Sequence, residues 1–226
     1  MEACYEKQMR AEYYYRLLPD YLQKHSVMVG HYAQYLVNYM LENGDGEFLR
    51  GLNRSLLDQV YLLGKYHDIG KAVLTEELWL SPRPLNKQEW ALVRAHTLLG
   101  GSIIRETMLL PTQEVAPDDF WEAAAQCCVY HHERWNGTGY PYGIRETQIP
   151  RLAQIISVAD AYDAMITDRP YRKGMIKAEA LEELRNCAGT QFNPLLVESF
   201  CEAVNGIMEQ AEENPGTERY RKASGF

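Results

Sequence analysis

Apolar residues recur three and four positions apart in nearly every segment of this chain, and the histidines fall inside those stripes rather than opposite them. A stripe of this period is the buried face of a helix, so a histidine within it must be enclosed by the domain. One stripe runs Leu56, Val60, Leu63, Gly64 and His67, with Asp68 about 100° further round the helix. From Trp90 a second collects Val93, His96, Gly100, Ile103 and Ile104. A third, Trp121, Ala124, Ala125, Cys128, His131 and His132, carries two histidines into its C-terminal end. A fourth starts at His25 and continues through Val29, Tyr32, Ala33 and Leu36. A fifth line, Ile156, Asp160, Asp163 and Thr167, turns carboxylates inward. Alternating β-branched and polar runs are absent, so the predicted fold class is all-α, a single helical bundle with polar groups gathered in its core.

An isolated inward histidine is ordinarily a hydrogen-bonded core residue. Five of six histidines together with aspartates in one core are different. A buried, unpaired carboxylate costs on the order of several kcal/mol or takes up a proton, whereas a shared metal ion removes that cost and fixes the imidazole tautomers. His67–Asp68 and His131–His132 are adjacent pairs and the other stripes lie about 30 residues away, which excludes a zinc finger, an HExxH helix and an EF-hand loop. The site must be assembled from several helices. Imidazole and carboxylate without thiolate suit Fe, Mn, Zn, Co or Ni, and Asp68 can bridge two ions in the manner of a two-metal phosphoesterase. The five cysteines, Cys4, Cys127, Cys128, Cys187 and Cys201, are odd in number and lack a CxxC spacing, so they read as reduced thiols, with Cys127 and Cys128 as packing residues.

Composition narrows the partners. With 23 basic against 31 acidic residues, net −8, the chain is a poor ligand for a nucleic-acid backbone, so an anionic substrate must be held by local cations. No apolar run is long enough to span a membrane, and the opening MEACYEKQMR lacks the basic start and apolar middle of a signal peptide, so a cytoplasmic protein with no membrane partner is expected. The breaks at Asn43 to Gly46, Ser81 to Pro84, Pro111 to Asp118 and Trp135 to Pro150 do not resemble interdomain linkers. The expected organisation is one domain over residues 1–211, of which 1–20 form an N-terminal extension helix, followed by a polar tail over 212–226.

The same residues stand in ordered motifs: His25 in HSVMVGHYA, HDIGK at His67 to Lys71, His96 in HTLLG, HHERWNGTGYP at His131 to Pro141, VADAYDAMITDRPYR at Val158 to Arg172, and GTQFNPLLVESF at Gly189 to Phe200. In this set and order the chain resembles the HD superfamily of metal-dependent phosphohydrolases, and within it the HD-GYP subfamily of cyclic-di-GMP phosphodiesterases. The resemblance implies two divalent metal ions, Fe or Mn ahead of Zn, Co or Ni, held by His25, His67, Asp68, His96, His131, His132 and Asp160, with Asp68 as the bridge. It implies that Asp68 and Lys71 serve catalysis and that Lys71, Tyr140, Arg169 and Arg172 meet the substrate. Asp163, one turn beyond Asp160, is expected either behind a metal ligand or against the substrate. The implied reaction is attack on cyclic di-GMP by a hydroxide held between the ions, giving linear pGpG, with further cleavage to GMP left open.

Two other readings accompany this one. The chain is alternatively an HD phosphohydrolase of another nucleotide or cyclic dinucleotide, or, from another class, a signalling module that keeps the fold and contacts diguanylate-cyclase-type domains through the GYP loop. Neither the signal nor the oligomeric state is written in the sequence, although a homodimer is compatible with it. No receiver or sensor segment accompanies these motifs, so regulation is expected from another polypeptide or from substrate supply. Three positions depart from the family pattern: Asn136 and Asn193 stand where Asp is usual, and Tyr21 where some members carry a Glu for a third metal, which favours a two-metal site. His31, six residues past His25, is read as structural.

Overall fold

Helix α7 (Arg151–Ile166) is apolar on nearly every side, with Leu152, Ile155, Ile156, Val158, Ala159 and Tyr162 all buried, and such a helix belongs at the centre of a bundle. In the computed structural model, which describes residues 2–43, 45–81, 83–109, 119–168 and 173–213, the other helices are arranged around it. Helix α2 (Asp20–Asn43) packs on α7 and on α4 (Val60–Tyr66), and α6 (Asp119–Tyr130) lies against α7 and the long α5 (Lys87–Met108). Helices α8 (Lys177–Asn186) and α9 (Pro194–Glu213) also pack on α7. Helix α1 (Glu2–Leu17) lies along α5 and a 3-10 turn at Ile69–Val73, and Glu12 fastens it to α4 through Lys65 at 2.6 Å. A short α3 (Arg54–Leu57) precedes α4. Among the described residues there is no strand, only an isolated bridge between Ala188 and Phe192, so the all-α expectation holds.

Local chemistry fixes where these helices begin and how closely they pack. The side chain of Asn86 accepts from the backbone N–H of Gln88 and Glu89, both at 2.9 Å, while Glu89 accepts from Asn86 N at 2.8 Å, a reciprocal cap worth about 1 kcal/mol at the start of α5. Where α2 crosses α4, a Cβ on Gly64 would stand 2.6 Å from the Cα of Gly30, so only glycine permits this separation.

Two details differ from the sequence reading. The stripe from Leu56 to His67 is not one helix, because Gln59 leaves helical geometry (φ −114°, ψ 11°) and separates α3 from α4. Its apolar members and His67 stay buried all the same. Trp90, in the first turn of α5, is 49% exposed, so the inward stripe of that helix starts at Val93. Cys127, Cys128 and Cys201 are buried free thiols, and Cys187 is also free. Pro111 to Asp118, and the tail beyond Glu213, lie outside the described residues. No helix among those described is long and apolar enough to cross a membrane.

Candidate metal centre

Five helices deliver the inward polar residues to one place. His25 comes from α2, His96 from the middle of α5, His131 and His132 from the turn that follows α6, and Asp160 and Asp163 from α7. His67 and Asp68 sit where α4 ends and the Ile69–Val73 turn begins. At that junction Asp68 (φ −107°, ψ 10°) leaves the helical register, which lets two sequence neighbours serve one centre. Three overlapping sets of ligand atoms, His25/His67/Asp160, His67/Asp68/His131 and His96/His131/His132, each lie within 4.8 Å of one another. Asp68 is in the middle: Oδ1 is 3.2 Å from His96 Nε2 and 3.7 Å from His131 Nε2, and Oδ2 is 3.3 Å from His67 Nε2. On the α2 side, Asp160 Oδ1 is 3.0 Å from His25 Nε2 and 3.8 Å from His67 Nε2.

The hydrogen bonds behind the rings set which nitrogen faces the centre. His67 Nδ1 bonds to Gly64 O at 2.6 Å, His96 Nδ1 to Val93 O at 2.5 Å, and His131 Nδ1 to Cys127 O and Cys128 O at 2.9 and 3.0 Å. A carbonyl only accepts, so each ring donates from Nδ1 and, when neutral, turns an Nε2 lone pair inward. The Nε2 atoms of His96 and His131 face each other 3.4 Å apart, and with both rings neutral they meet as lone pairs. His67 Nε2 and Asp68 Oδ1, both buried, have no hydrogen-bond partner. Lewis bases converging without a donor among them repel one another, and a divalent cation between them satisfies all of them at once. The neighbouring thiol of Cys128 donates to Tyr66 O at 3.3 Å, which leaves an imidazole and carboxylate donor set that fits the first-row metals.

For His131, His132, Asp68 and Asp160 the protonation states agree with that reading. Burial, with His132 and His67 alongside, holds His131 well below its ordinary value, and burial with His96 alongside takes His132 down to about 3, so both are neutral at pH 7. Burial alone would raise the carboxyl of Asp68, but Lys71 and His67 outweigh it and keep the group ionised. Burial opposes ionisation of Asp160 too, and hydrogen-bonded His25 overcomes it. His25 is the reverse case: burial lowers it, yet Asp160 and Asp163 together push it up to about 9.

Asp163 is spent on His25. Its Oδ2 stands 2.6 Å from His25 Nδ1 and its side chain is 2% exposed, which puts it behind the ring, away from any entering molecule. A carboxylate in this position fixes the orientation and basicity of a ligand histidine. Asp163→Asn should therefore weaken metal affinity by about 10- to 100-fold while leaving the fold in place. A chelator-competition titration measures it, and wild-type affinity in the variant would contradict the role.

Around this centre lie the other residues singled out in the sequence. Lys71 Nζ donates to Asp68 Oδ2 and sits 5.1 Å from the centroid of Trp79, whose ring meets His96 edge-on at 6.1 Å. Tyr140 lies with its ring 4.8 Å from that of His132, in the loop that follows α6. Arg169 and Arg172 lie outside the described residues; at the flanks of their segment, Gly174 N donates to Asp168 Oδ1 at 2.7 Å and Met175 N to Met165 O at 2.8 Å. Asn136 Oδ1 accepts from Thr138 N at 3.1 Å and Thr138 Oγ1 at 2.7 Å, an acceptor task that does not need the negative charge of Asp. Asn193 uses both ends of its amide, donating to Gln154 Oε1 at 3.0 Å and accepting from Leu195 N at 3.1 Å. Tyr21 is 40% exposed and the ring of His31 lies tilted against that of Tyr61 at 4.8 Å, both apart from the ligand sets.

Sequence reasoning passed over two contributors. Glu133 is buried and accepts from Tyr142 N at 2.7 Å and Gly143 N at 3.1 Å, so it pins the loop that carries Tyr140. The available signal was a carboxylate directly after two inward histidines. Trp79 had none, since it stands in a short turn with no periodicity to place it.

Comparisons with known proteins agree with this geometry. A family profile described as "HD domain" matches residues 22–196, most of the chain. A cyclic di-GMP phosphodiesterase of Thermotoga maritima is 31% identical over 150 residues, covering 66% of this chain and 38% of that protein. One of Pseudomonas aeruginosa is 37% identical over 149 residues, 66% of this chain and 33% of that protein. A 3'3'-cGAMP-specific phosphodiesterase of Vibrio cholerae is 30% identical over 154 residues, 68% of this chain and 28% of that protein. The chain thus spans well under half the length of these relatives. In fold it is similar to an HDG"Y"P protein, Bd1817, of Bdellovibrio bacteriovorus, with a TM-score of 0.58 and 22% identity over 81% of this chain and 52% of that one. A cyclic GMP-AMP phosphodiesterase of Vibrio cholerae gives a TM-score of 0.60 and 18% identity over 96% of this chain and 53% of that one. Profile, relatives and fold all converge on the segment that carries the histidine and aspartate cluster: the chain belongs to the HD-domain family.

Proposed function

We propose that the protein is a metal-dependent phosphodiesterase that opens a cyclic dinucleotide, with cyclic di-GMP the preferred substrate and pGpG the first product. The observation that carries this reading is the convergence of the Nε2 atoms of His67, His96 and His131 on the carboxylate of Asp68, with His67 Nε2 and Asp68 Oδ1 buried and without a hydrogen-bond partner. Two divalent ions, Fe or Mn, would be held by His25, His67 and Asp160 on one side and by His96, His131 and His132 on the other, with Asp68 shared. Bound there, they supply Lewis-acid activation of water and of the phosphoryl oxygens. The protein's own residues do the rest. Lys71, braced by Asp68 and Trp79, offers an ammonium to the negative charge on the phosphoryl oxygens, the kind of pre-set electrostatic help that dominates such reactions. Tyr140, whose ring lies against His132 at the edge of the centre, stays protonated, because burial and the nearby aspartates raise its phenol. Asp163 keeps His25 turned toward the centre.

One observation favours a second substrate: relatives named as cGAMP-specific match at nearly the same identity as those named for cyclic di-GMP. A time course with metal-loaded protein and each cyclic dinucleotide in turn separates them. The expected result is a linear dinucleotide from cyclic di-GMP at a kcat/KM at least tenfold above that for 3'3'-cGAMP. The opposite ratio would reassign the substrate, and no turnover of either would overturn the reading in favour of a different phosphoester or an interaction module.

A further inference from the structure

Two cations at this site are held in the same way. Lys71 Nζ sits 5.1 Å from the centroid of Trp79, a ring that touches ligand His96. The guanidinium carbon of Arg94 sits 5.1 Å from the centroid of Tyr140, a ring that touches ligand His132. Each cation is thus stacked on an aromatic that leans on the His96/His131/His132 set. Their charges are disposed differently. Lys71 is already committed to Asp68, whereas Arg94 is exposed and, among the described residues, no carboxylate lies within ion-pairing distance of it. Stacking on Tyr140 restricts the guanidinium face and leaves its N–H edge free to donate, and a planar fork of donors matches the oxygens of a phosphodiester. A preformed, unpaired cation of this kind in a chain of net charge −8 marks where an anion is to be received.

We infer that Arg94 is a substrate-binding residue that holds the second phosphate of the cyclic dinucleotide, the one not being cleaved. A cyclic dinucleotide carries two phosphodiesters, and the centre with Lys71 serves only one of them. The other needs cations of its own: the family resemblance offers Arg169 and Arg172, which lie outside the described residues, and among the described residues Arg94 stands beside the histidine set. This assignment rests on the reading of the protein as a cyclic-dinucleotide phosphodiesterase, and it gives that reading a determinant for substrates with two phosphates over those with one.

The test compares cyclic di-GMP with bis(p-nitrophenyl) phosphate, a diester with a single phosphate, in wild type and Arg94→Met. Methionine keeps an apolar stem against Tyr140 and removes the charge, so a role limited to packing would survive the change. The expected result is a rise of at least tenfold in KM for cyclic di-GMP with a much smaller change in kcat. The ratio of kcat/KM between the two substrates should fall at least tenfold, metal content per chain should hold, and Arg94→Lys should recover part of the loss. An unchanged ratio in Arg94→Met, with wild type hydrolysing cyclic di-GMP, would overturn the assignment alone. Loss of metal in the variant would overturn it in favour of a structural role. If wild type hydrolyses the single-phosphate diester and no cyclic dinucleotide, both the assignment and the reading beneath it fall.

Discussion

Asp68→Asn should lower turnover by on the order of a thousandfold or more and strip the metal centre, with the helical bundle intact. The change is nearly isosteric, so packing has little to do with the outcome. What it removes is the charge of the one carboxylate that stands within 3.7 Å of three imidazole Nε2 atoms and also receives the ammonium of Lys71. An amide puts a donor or a weak acceptor among lone pairs that require a cation, and it leaves Lys71 without its partner. The fold is expected to survive because its core is a continuous apolar cluster that reaches from Ala11 to Val204 and does not depend on the metal. Metal content, thermal unfolding and hydrolysis measured on the same sample check this. A variant that keeps both its metal and wild-type turnover would refute the role of Asp68.

Gly70→Ala should cost about 3 kcal/mol or more of stability and disable the centre in whatever fraction still folds. Gly70 lies two residues past Asp68, in the Ile69–Val73 turn, and its Cα abuts α5. A Cβ there would run into the carbonyl oxygen of His96 and stand 2.5 Å from Gly100 N. Both obstacles are backbone of a long helix, so neither can swing aside as a flexible side chain would. Relief requires the turn and α5 to separate, and that separation pulls Asp68 Oδ1 away from His96 Nε2, now 3.2 Å apart. Fold and site therefore fail together. Chemical denaturation of the metal-free protein isolates the stability term, and an unchanged midpoint would contradict the close approach. The glycine of HDIGK is thus explained by the helix that must pass beside it.

Much of this was legible in the sequence, for a definite reason. A 3.6-residue period reports which face of a helix is buried, so a histidine within the stripe is known to point inward before any contact is known. His25, His67, His96, His131 and Asp160 all lie on core-facing stripes of this kind, and the structure brings them into shared ligand sets. The period carries no information on how helices cross, so the pairing of His25 with Asp163, 138 residues apart, emerged only in three dimensions. The break at Gln59 was hidden because the apolar spacing continues straight through it. Loops have no period at all, which is why Glu133, Trp79 and the seat of Arg94 on Tyr140 went unread although HHERW and GYP were in plain view. Of the two departures from the family pattern, Asn193 uses the donor that only an amide has, whereas Asn136 acts solely as an acceptor.

The central claim is that the converging imidazoles and carboxylates form a centre for two divalent ions. Metal analysis of anaerobically purified protein tests it most directly, with wild type and Asp68→Asn treated alike. The account predicts about two divalent ions per wild-type chain and a loss of at least one of them in the variant. Wild type without stoichiometric metal, and unable to take it up from an iron or manganese solution, would contradict it.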